Sequence, residues 1–285
     1  IFVMIAGLAL MRQVAALSGD AVQEAGEDYA AVVSLRSERR LLCTGVKIGP
    51  RTLLTAAHCV LNPRTTERLP AFRFGGRLFL DNSARQTGPD TAIQVLVHGT
   101  ALPAAYEAGL EKFVGYREQQ LQAWGGNPPS LDKGKLERGL RLRHHFAARY
   151  PDVALVHLRT DTPTIPVQTV DFTPLGKNAE VTLVGFGCSG PRHSRDGRSA
   201  VRRAGRTRVI RVDAINFYTQ GGQRSPGAPS LCPGDSGGPV LGKGGVVGIH
   251  TVVYGLSPRH GARSNMAVRL APLADWDAWP PEITR

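Results

Sequence analysis

Short runs of β-branched and other apolar residues, broken by Gly, Pro and charged residues, recur along this chain. Before residue 100 they are AVVSL (31–35), LLCTGVKI (41–48), RTLLTAA (51–57), FRFGGRLFL (72–80) and TAIQVLVH (91–98). After residue 150 they are VALVHL (153–158), EVTLVGFG (180–187), TRVIRV (207–212), GVVGIHTVV (245–253) and NMAVRL (265–270). Each run has the length of one strand, and turn residues separate it from the next. This density of short strands predicts a sandwich or barrel. Two segments break the rhythm. Residues 104–124, AAYEAGLEKFVGYREQQLQAW, are rich in helix formers with apolar residues at helical spacing, and GGNPPS (125–130) ends them. They predict a helical insertion in a loop, its apolar stripe packed on the barrel. APLADWDAW (271–279) predicts a short amphipathic helix stopped by Pro280-Pro281.

Composition adds bounds. The 285 residues, 42% hydrophobic, can build one large domain or two small barrels. The 33 Gly and 20 Pro fit a turn-rich β architecture and argue against a helical bundle. The net charge is +12, and residues 192–211 concentrate eight arginines against one acid, Asp196. Such a run can meet an anionic surface, although a solvated loop is its ordinary role. No aromatic residues interleave with these arginines, so no specific nucleic-acid partner is expected.

IFVMIAGLALM (1–11) is an uninterrupted apolar run. It is too short to cross a bilayer as a helix but suits the apolar core of a secretory signal. Val14-Ala15-Ala16 then offers a small-residue cleavage site before Leu17. The expectation is a signal peptide over 1–16, truncated at its start, and a secreted protein, extracellular or periplasmic, without a transmembrane span. An apolar first strand is the alternative. The four cysteines, Cys43, Cys59, Cys188 and Cys232, are an even count that predicts disulfides in that compartment. Three pairings are open. Nothing has zinc-ligand spacing, and the adjacent His144-His145 do not converge on one ion, so no metal or cofactor is expected.

Two motifs carry chemistry: TAAHC (55–59) and CPGDSGGPV (232–240). At ordinary residue usage GDSGGP arises in fewer than about one window in ten million. A serine hydroxyl is a weak nucleophile and needs a neighbouring base. Histidine supplies one near neutral pH, and a carboxylate must fix its tautomer. Glycines around the serine allow a tight turn that aims N–H groups at a developing oxyanion.

TAAHC, PDVALVHL (151–158) and GDSGGP together resemble the chymotrypsin-like (trypsin-fold) serine peptidases, over about residues 29–279. The arginine-rich composition and an unusual cysteine pair point to a bacterial member. The resemblance implies an all-β fold of two antiparallel six-stranded barrels. Residues 17–165 would form the first, with the helical insertion at about 99–150, and 166–285 the second, with the C-terminal helix. It assigns His58 as general base and acid, Asp152 as its orienting carboxylate and Ser236 as nucleophile. Asp90 and Asp161 are the rivals of Asp152, which directly precedes an apolar strand as in the family. The N–H groups of Gly234 and Ser236 would form the oxyanion hole. Cys43–Cys59 matches a family disulfide, and the approach of their segments in the fold pairs Cys188 with Cys232.

The same resemblance places Ser230, His250, Thr251, Val252 and Val253 around the pocket for the side chain before the scissile bond. Ser230 stands where trypsin-like enzymes carry Asp, which argues against tryptic specificity. His250 is similar to the pocket histidine of glutamyl endopeptidases, but Leu231 and Val253 are apolar where supporting hydroxyls are usual. The expected preference is an acidic or a medium apolar residue. Activation in the family pairs a new N-terminus with the Asp before the nucleophile, here Asp235; cleavage after Ala16 would supply the Leu17 amine. The expected function is a secreted serine endopeptidase acting on proteins or peptides. A catalytically silent cationic binding protein on the same fold is the alternative.

Overall fold

The computed structural model describes residues 17, 22–38, 40–84, 92–123, 144–187, 201–221, 228–254 and 264–283. Six strands close a first antiparallel barrel: β2 (Val32–Ser37), β3 (Arg40–Gly49), β4 (Thr52–Thr55), β5 (Arg77–Asp81), β6 (Ile93–Ala101) and β7 (Ala154–Leu158). Their order around it is β2-β3-β4-β7-β6-β5. The second barrel comprises β8 (Glu180–Gly185), β9 (Arg203–Val212), β10 (Asn216–Gln220), β11 (Pro239–Leu241), β12 (Val246–Tyr254) and β13 (Ser264–Arg269). Its order is β9-β10-β13-β12-β11-β8, closed by the β8–β9 pairing. The expected two-barrel, all-β fold is what the chain adopts.

Burial explains why the runs are strands. On β5 and β6 Leu78, Leu80, Val95 and Val97 face the core, while Arg77 and Gln94 face solvent. The inner half of β3 and most of β7 are buried on both faces, because each meets other layers of the molecule; the buried polar residues of β3, Thr44 and Lys47, are hydrogen-bonded there.

The two ends of the chain cross over. β1 (Val22–Glu24) pairs antiparallel with β9 of the second barrel, and Leu17, 1% exposed, packs into that barrel's core. At the other end Trp279 packs edge-on to Phe172 and Trp276, each at 5.3 Å, within the cluster that fills the first barrel.

Several expectations need correction. The stretch 271–279 is a single 3-10 turn (Ala271–Leu273) followed by turns. The Leu273 carbonyl is taken by the Trp276 N–H at 3.0 Å and by the Trp279 indole at 2.6 Å, so no α-helical ladder continues. The 51–57 run ends as a strand at Thr55, where α1 (Ala57–Val60) begins. The first part of 72–80 is not a strand: Pro70–Phe72 form a 3-10 turn, and β5 starts only at Arg77. The 207–212 strand begins earlier than its apolar run, so Arg203 and Arg206 also lie on β9 rather than in a loop. Arg202, fully buried, donates to the carbonyls of Gly26 and Asn82. Arg208 pairs with Glu180, and Arg211 stacks over Tyr218 at 3.9 Å. Residues 192–200 lie outside the described residues.

The insertion helix forms as expected, as α2 (Ala104–Ala123). It packs through its first turns only. Tyr106 and Gly109 are buried, while Tyr116 and Leu121 are 53% and 43% exposed. Gly109 is required there, since a Cβ would lie 2.5 Å from the Tyr150 ring. α3 (His144–Ala147) packs beside it, with Phe146 edge-on to Tyr106 at 5.0 Å. Among the described residues no helix is long and apolar enough to cross a membrane.

Candidate active site

The site lies in a cleft of about 780 Å³ whose walls come from both barrels: Leu41, Cys43, His58 and Cys59 from the first, Gly234, Ser236, Thr251 and Val252 from the second. α1 is a single turn following β4, and it carries His58 to the mouth of the cleft. Asp152, 1% exposed, sits just before β7, the strand hydrogen-bonded to β4. That neighbouring pairing brings the two residues together across 94 positions of sequence. Asp152 grips His58 at two points. Oδ1 accepts the His58 backbone N–H at 2.9 Å, and Oδ2 lies 2.7 Å from Nδ1. This fixes the proton on Nδ1 and leaves Nε2 toward the cleft, with the Cys59 sulfur 3.9 Å away. Burial disfavours the imidazolium, but the charge and hydrogen bond of Asp152 outweigh it and raise the His58 pKa above its ordinary 6.5. Of the rival acids, Asp161 pairs with buried Lys47 at 3.1 Å, and Asp90 lies outside the described residues.

The loop that carries Ser236 is shaped by glycines. Gly234 and Gly237 adopt φ of +102° and +81°, conformations that side chains rarely take. A Cβ on Gly237 would lie 2.1 Å from Thr55 Oγ1. Ser236 and His58 line the same cleft, and among the described residues their side chains are not hydrogen-bonded to each other. Nor do the N–H groups of Gly234 and Ser236 donate to any described residue, so both remain available to an oxyanion.

Asp235, fully buried, accepts the N–H groups of Gly187 and Cys232 at 2.7 Å each, and that of Leu17. Burial pushes its pKa up to about 6 against these donors. Gly185 and Gly187 leave room for this carboxylate, which a Cβ on either would strike at 2.2 to 2.6 Å.

Around the specificity pocket, Thr251 and Val252 line the cleft. The side chain of Val253 lies outside the described residues. Ser230 is half-buried in a segment held by Asn265, whose side chain accepts the Leu231 N–H and donates to the Pro229 carbonyl, each at 2.9 Å. His250 is fully buried on β12. Burial lowers its pKa to about 3 despite the nearby Val184 carbonyl, and neither ring nitrogen has a partner of good geometry. It is therefore neutral at physiological pH.

Cys43 and Cys59 form a disulfide, which ties β3 to the residue after His58. Both sulfurs being bonded to each other, the Cys43–His58–Cys59 cluster offers no thiolate pair to a metal. Cys232 is also disulfide-bonded; Cys188, its expected partner, lies outside the described residues.

Three contributors were invisible in the sequence. Thr44 of β3 donates to the Gly234 carbonyl at 2.8 Å, accepts the Phe186 N–H at 3.0 Å and, through its own N–H, holds the Ser236 carbonyl at 2.9 Å. It clips the nucleophile loop to the first barrel. Asn265 anchors the pocket segment. Tyr106 of α2 packs close enough to Asp152 for that charge to add to burial in raising its phenol pKa. A lone Thr or Asn in an apolar strand and a Tyr at helical spacing carry no distinguishing signal.

Two six-stranded barrels, with a His–Asp pair and a serine loop meeting between them, define the chymotrypsin-like class. The sequence pattern of the Trypsin family matches residues 16–94 and 129–276, and the chain belongs to that family. The unmatched residues 95–128 contain α2. No curated protein matched the chain. Among solved structures, mouse neuropsin, a serine protease expressed in the limbic system of the brain, is similar at 14% identity and a TM-score of 0.57, over 90% of this chain and 96% of its own. Human heparin binding protein is similar at 16% identity and a TM-score of 0.57, over 90% and 93%. At such identities the likeness concerns the fold.

Proposed function

We propose that this chain is a secreted serine endopeptidase with His58, Asp152 and Ser236 as its triad. The observation that carries the reading is the two-point grip of Asp152 on His58, in a cleft that Ser236 also lines and where, among the described residues, the Gly234 and Ser236 N–H groups have no acceptor. In the proposed reaction His58 Nε2 takes the Ser236 proton as Oγ bonds to the scissile carbonyl carbon. The carbonyl oxygen becomes an oxyanion between the Gly234 and Ser236 N–H groups. The imidazolium, stabilised by ionised Asp152, gives its proton to the departing amine. Water then repeats the sequence on the acyl-enzyme, restoring the serine.

Among the described residues no carboxylate lines the cleft, which favours a non-tryptic substrate with an acidic or medium apolar residue before the bond. A neutral His250 can contribute to acidic selectivity only by hydrogen bonding, not by charge. Leu17 supports the proposed activation: it is buried in the second barrel with its N–H on Asp235, where a new amine would stand after cleavage. The Cys43–Cys59 bridge supports an oxidising compartment.

A cationic binding protein on this fold is the second reading. It draws on the charge of +12 and on the similarity to a protein named for heparin binding. Reaction with a fluorophosphonate separates the two. The parent should label and Ser236→Ala should not; a parent chain beginning at Leu17 that stays unlabelled overturns the peptidase reading.

A further inference from the structure

Two cationic side chains edge the cleft on the His58 side, and among the described residues they have no partners. Arg40 opens β3 and Arg64 sits in the turn after α1; both are exposed and both line the cleft. Among the described residues neither guanidinium makes a hydrogen bond or ion pair. The carboxylates closest along the chain to Arg64 and along α2 are engaged elsewhere: Glu67 with Arg73 at 3.1 Å, Glu107 with Arg68 at 3.5 Å.

The turn presenting Arg64 is held firmly. Asn62 Oδ1 accepts the Arg64 N–H at 2.9 Å, and the Asn62 carbonyl accepts the Thr66 N–H at 2.8 Å. From outside, Arg117 of α2 donates to the carbonyls of Arg64 and Thr65. The insertion helix therefore braces this edge of the cleft.

Chemistry orients the substrate. The departing amine must take its proton from His58, so the chain beyond the scissile bond leaves on the side of His58 and the Cys43–Cys59 bridge. That wall belongs to the first barrel, as do Arg40 and Arg64. The residues before the bond lie toward Thr251 and Val252 of the second barrel. We propose that Arg40 and Arg64 select substrates with acidic residues in the first three positions after the scissile bond, and that Arg117 is a positioning residue for Arg64. The inference rests on the peptidase reading and specifies its substrate class.

Each arginine should be worth about three- to fivefold, the upper range of exposed ion pairs, and both together about tenfold. The preference should weaken at high salt, because the Debye length falls from about 10 Å at 0.1 M to about 3 Å at 1 M. The test uses three quenched peptides, identical through a leucine before the bond and followed by three acidic, three neutral or three basic residues. The expected kcat/KM order is acidic, neutral, basic. Arg40→Gln with Arg64→Gln should bring the acidic-to-neutral ratio within about twofold of one, and Arg117→Ala should lower it partly. A ratio near one in the parent, a ratio the double variant leaves intact, or a preference for acids only before the bond overturns the proposal. Binding of the acidic and basic peptides to Ser236→Ala, read by fluorescence anisotropy, tests the same selectivity without turnover. Probe labelling without acidic preference sinks this inference and spares the peptidase reading; arginine-dependent binding without labelling overturns the peptidase reading and with it the assignment to positions after a scissile bond.

Discussion

The contact between Leu17 and Asp235 makes a quantitative prediction about processing. In the uncut chain a fully buried carboxylate is met by neutral N–H groups, and its pKa stands at about 6. Against an unfolded value of 3.8, that rise corresponds to about 3 kcal/mol of linkage. A raised folded pKa means that the native state binds the proton more tightly than the unfolded chain. The contribution is therefore complete below about pH 4 and is lost as pH rises through about 6. Cleavage before Leu17 replaces the N–H with an α-ammonium, which holds Asp235 ionised and removes this loss. Urea melts at half-unit intervals from pH 4 to 7 should compare a chain extended upstream of Leu17 with one beginning at Leu17. The extended chain should lose about 3 kcal/mol more across that window. The shorter chain should instead weaken above about pH 8, as its amine loses its proton. Parallel curves for the two chains would refute the reasoning, as would a persistent slope in the extended Asp235→Asn variant.

Other outcomes follow from the site. Because Asp152 raises the His58 pKa, the acid limb of kcat/KM should lie above pH 6.5, activity rising with pH as the imidazole loses its proton. Asp152→Asn should move that limb downward and lower kcat by about four orders of magnitude, the scale of a wrong-tautomer histidine in a serine triad; stopped-flow or steady-state profiles would check both. Thr44→Val removes one side-chain hydrogen bond to the Ser236 loop, at the Gly234 carbonyl, and one from the Phe186 N–H, and should cost about 2 kcal/mol in urea melts while lowering kcat more than it changes KM. Replacing Cys43 and Cys59 together by Ser opens a loop whose ends are 16 residues apart, and should cost about 3 kcal/mol by the same melts.

The candidate site, the His58–Asp152 pair and the Ser236 loop facing one cleft, was legible because TAAHC, PDV and GDSGGP are local signals. Each specifies a short backbone conformation, a single helical turn, a pre-strand turn and a glycine-rich loop, into which one reactive side chain is set. Most strands were legible for the same reason. β1, β10 and β11 were not; NFYTQ at 216–220 lacks the alternation of a half-buried strand and has too few apolar residues to stand out. The 271–279 segment misled because two tryptophans at helical spacing also suit a turn that sets one ring edge-on to the other. The Thr44 clip spans 190 residues, and the Arg117 brace joins an insertion to a turn 53 residues away. Such contacts are products of barrel closure, not of any local pattern.

The crossed ends of the chain have a consequence for the proposed peptidase. Ser236 comes from one barrel and His58 from the other, so the proposed reaction would depend on the seam between them staying registered to within about an ångström, the misplacement that can cost a hundredfold in rate. β1 laces the start of the chain to the far barrel, and the tryptophan tail laces its finish to the near one. Nicking at either extremity, where chains are usually most expendable, would here unfasten the seam itself. Each lace is accordingly sewn inward: β1 by main-chain pairing to β9, the tail by an indole sunk to 7% exposure.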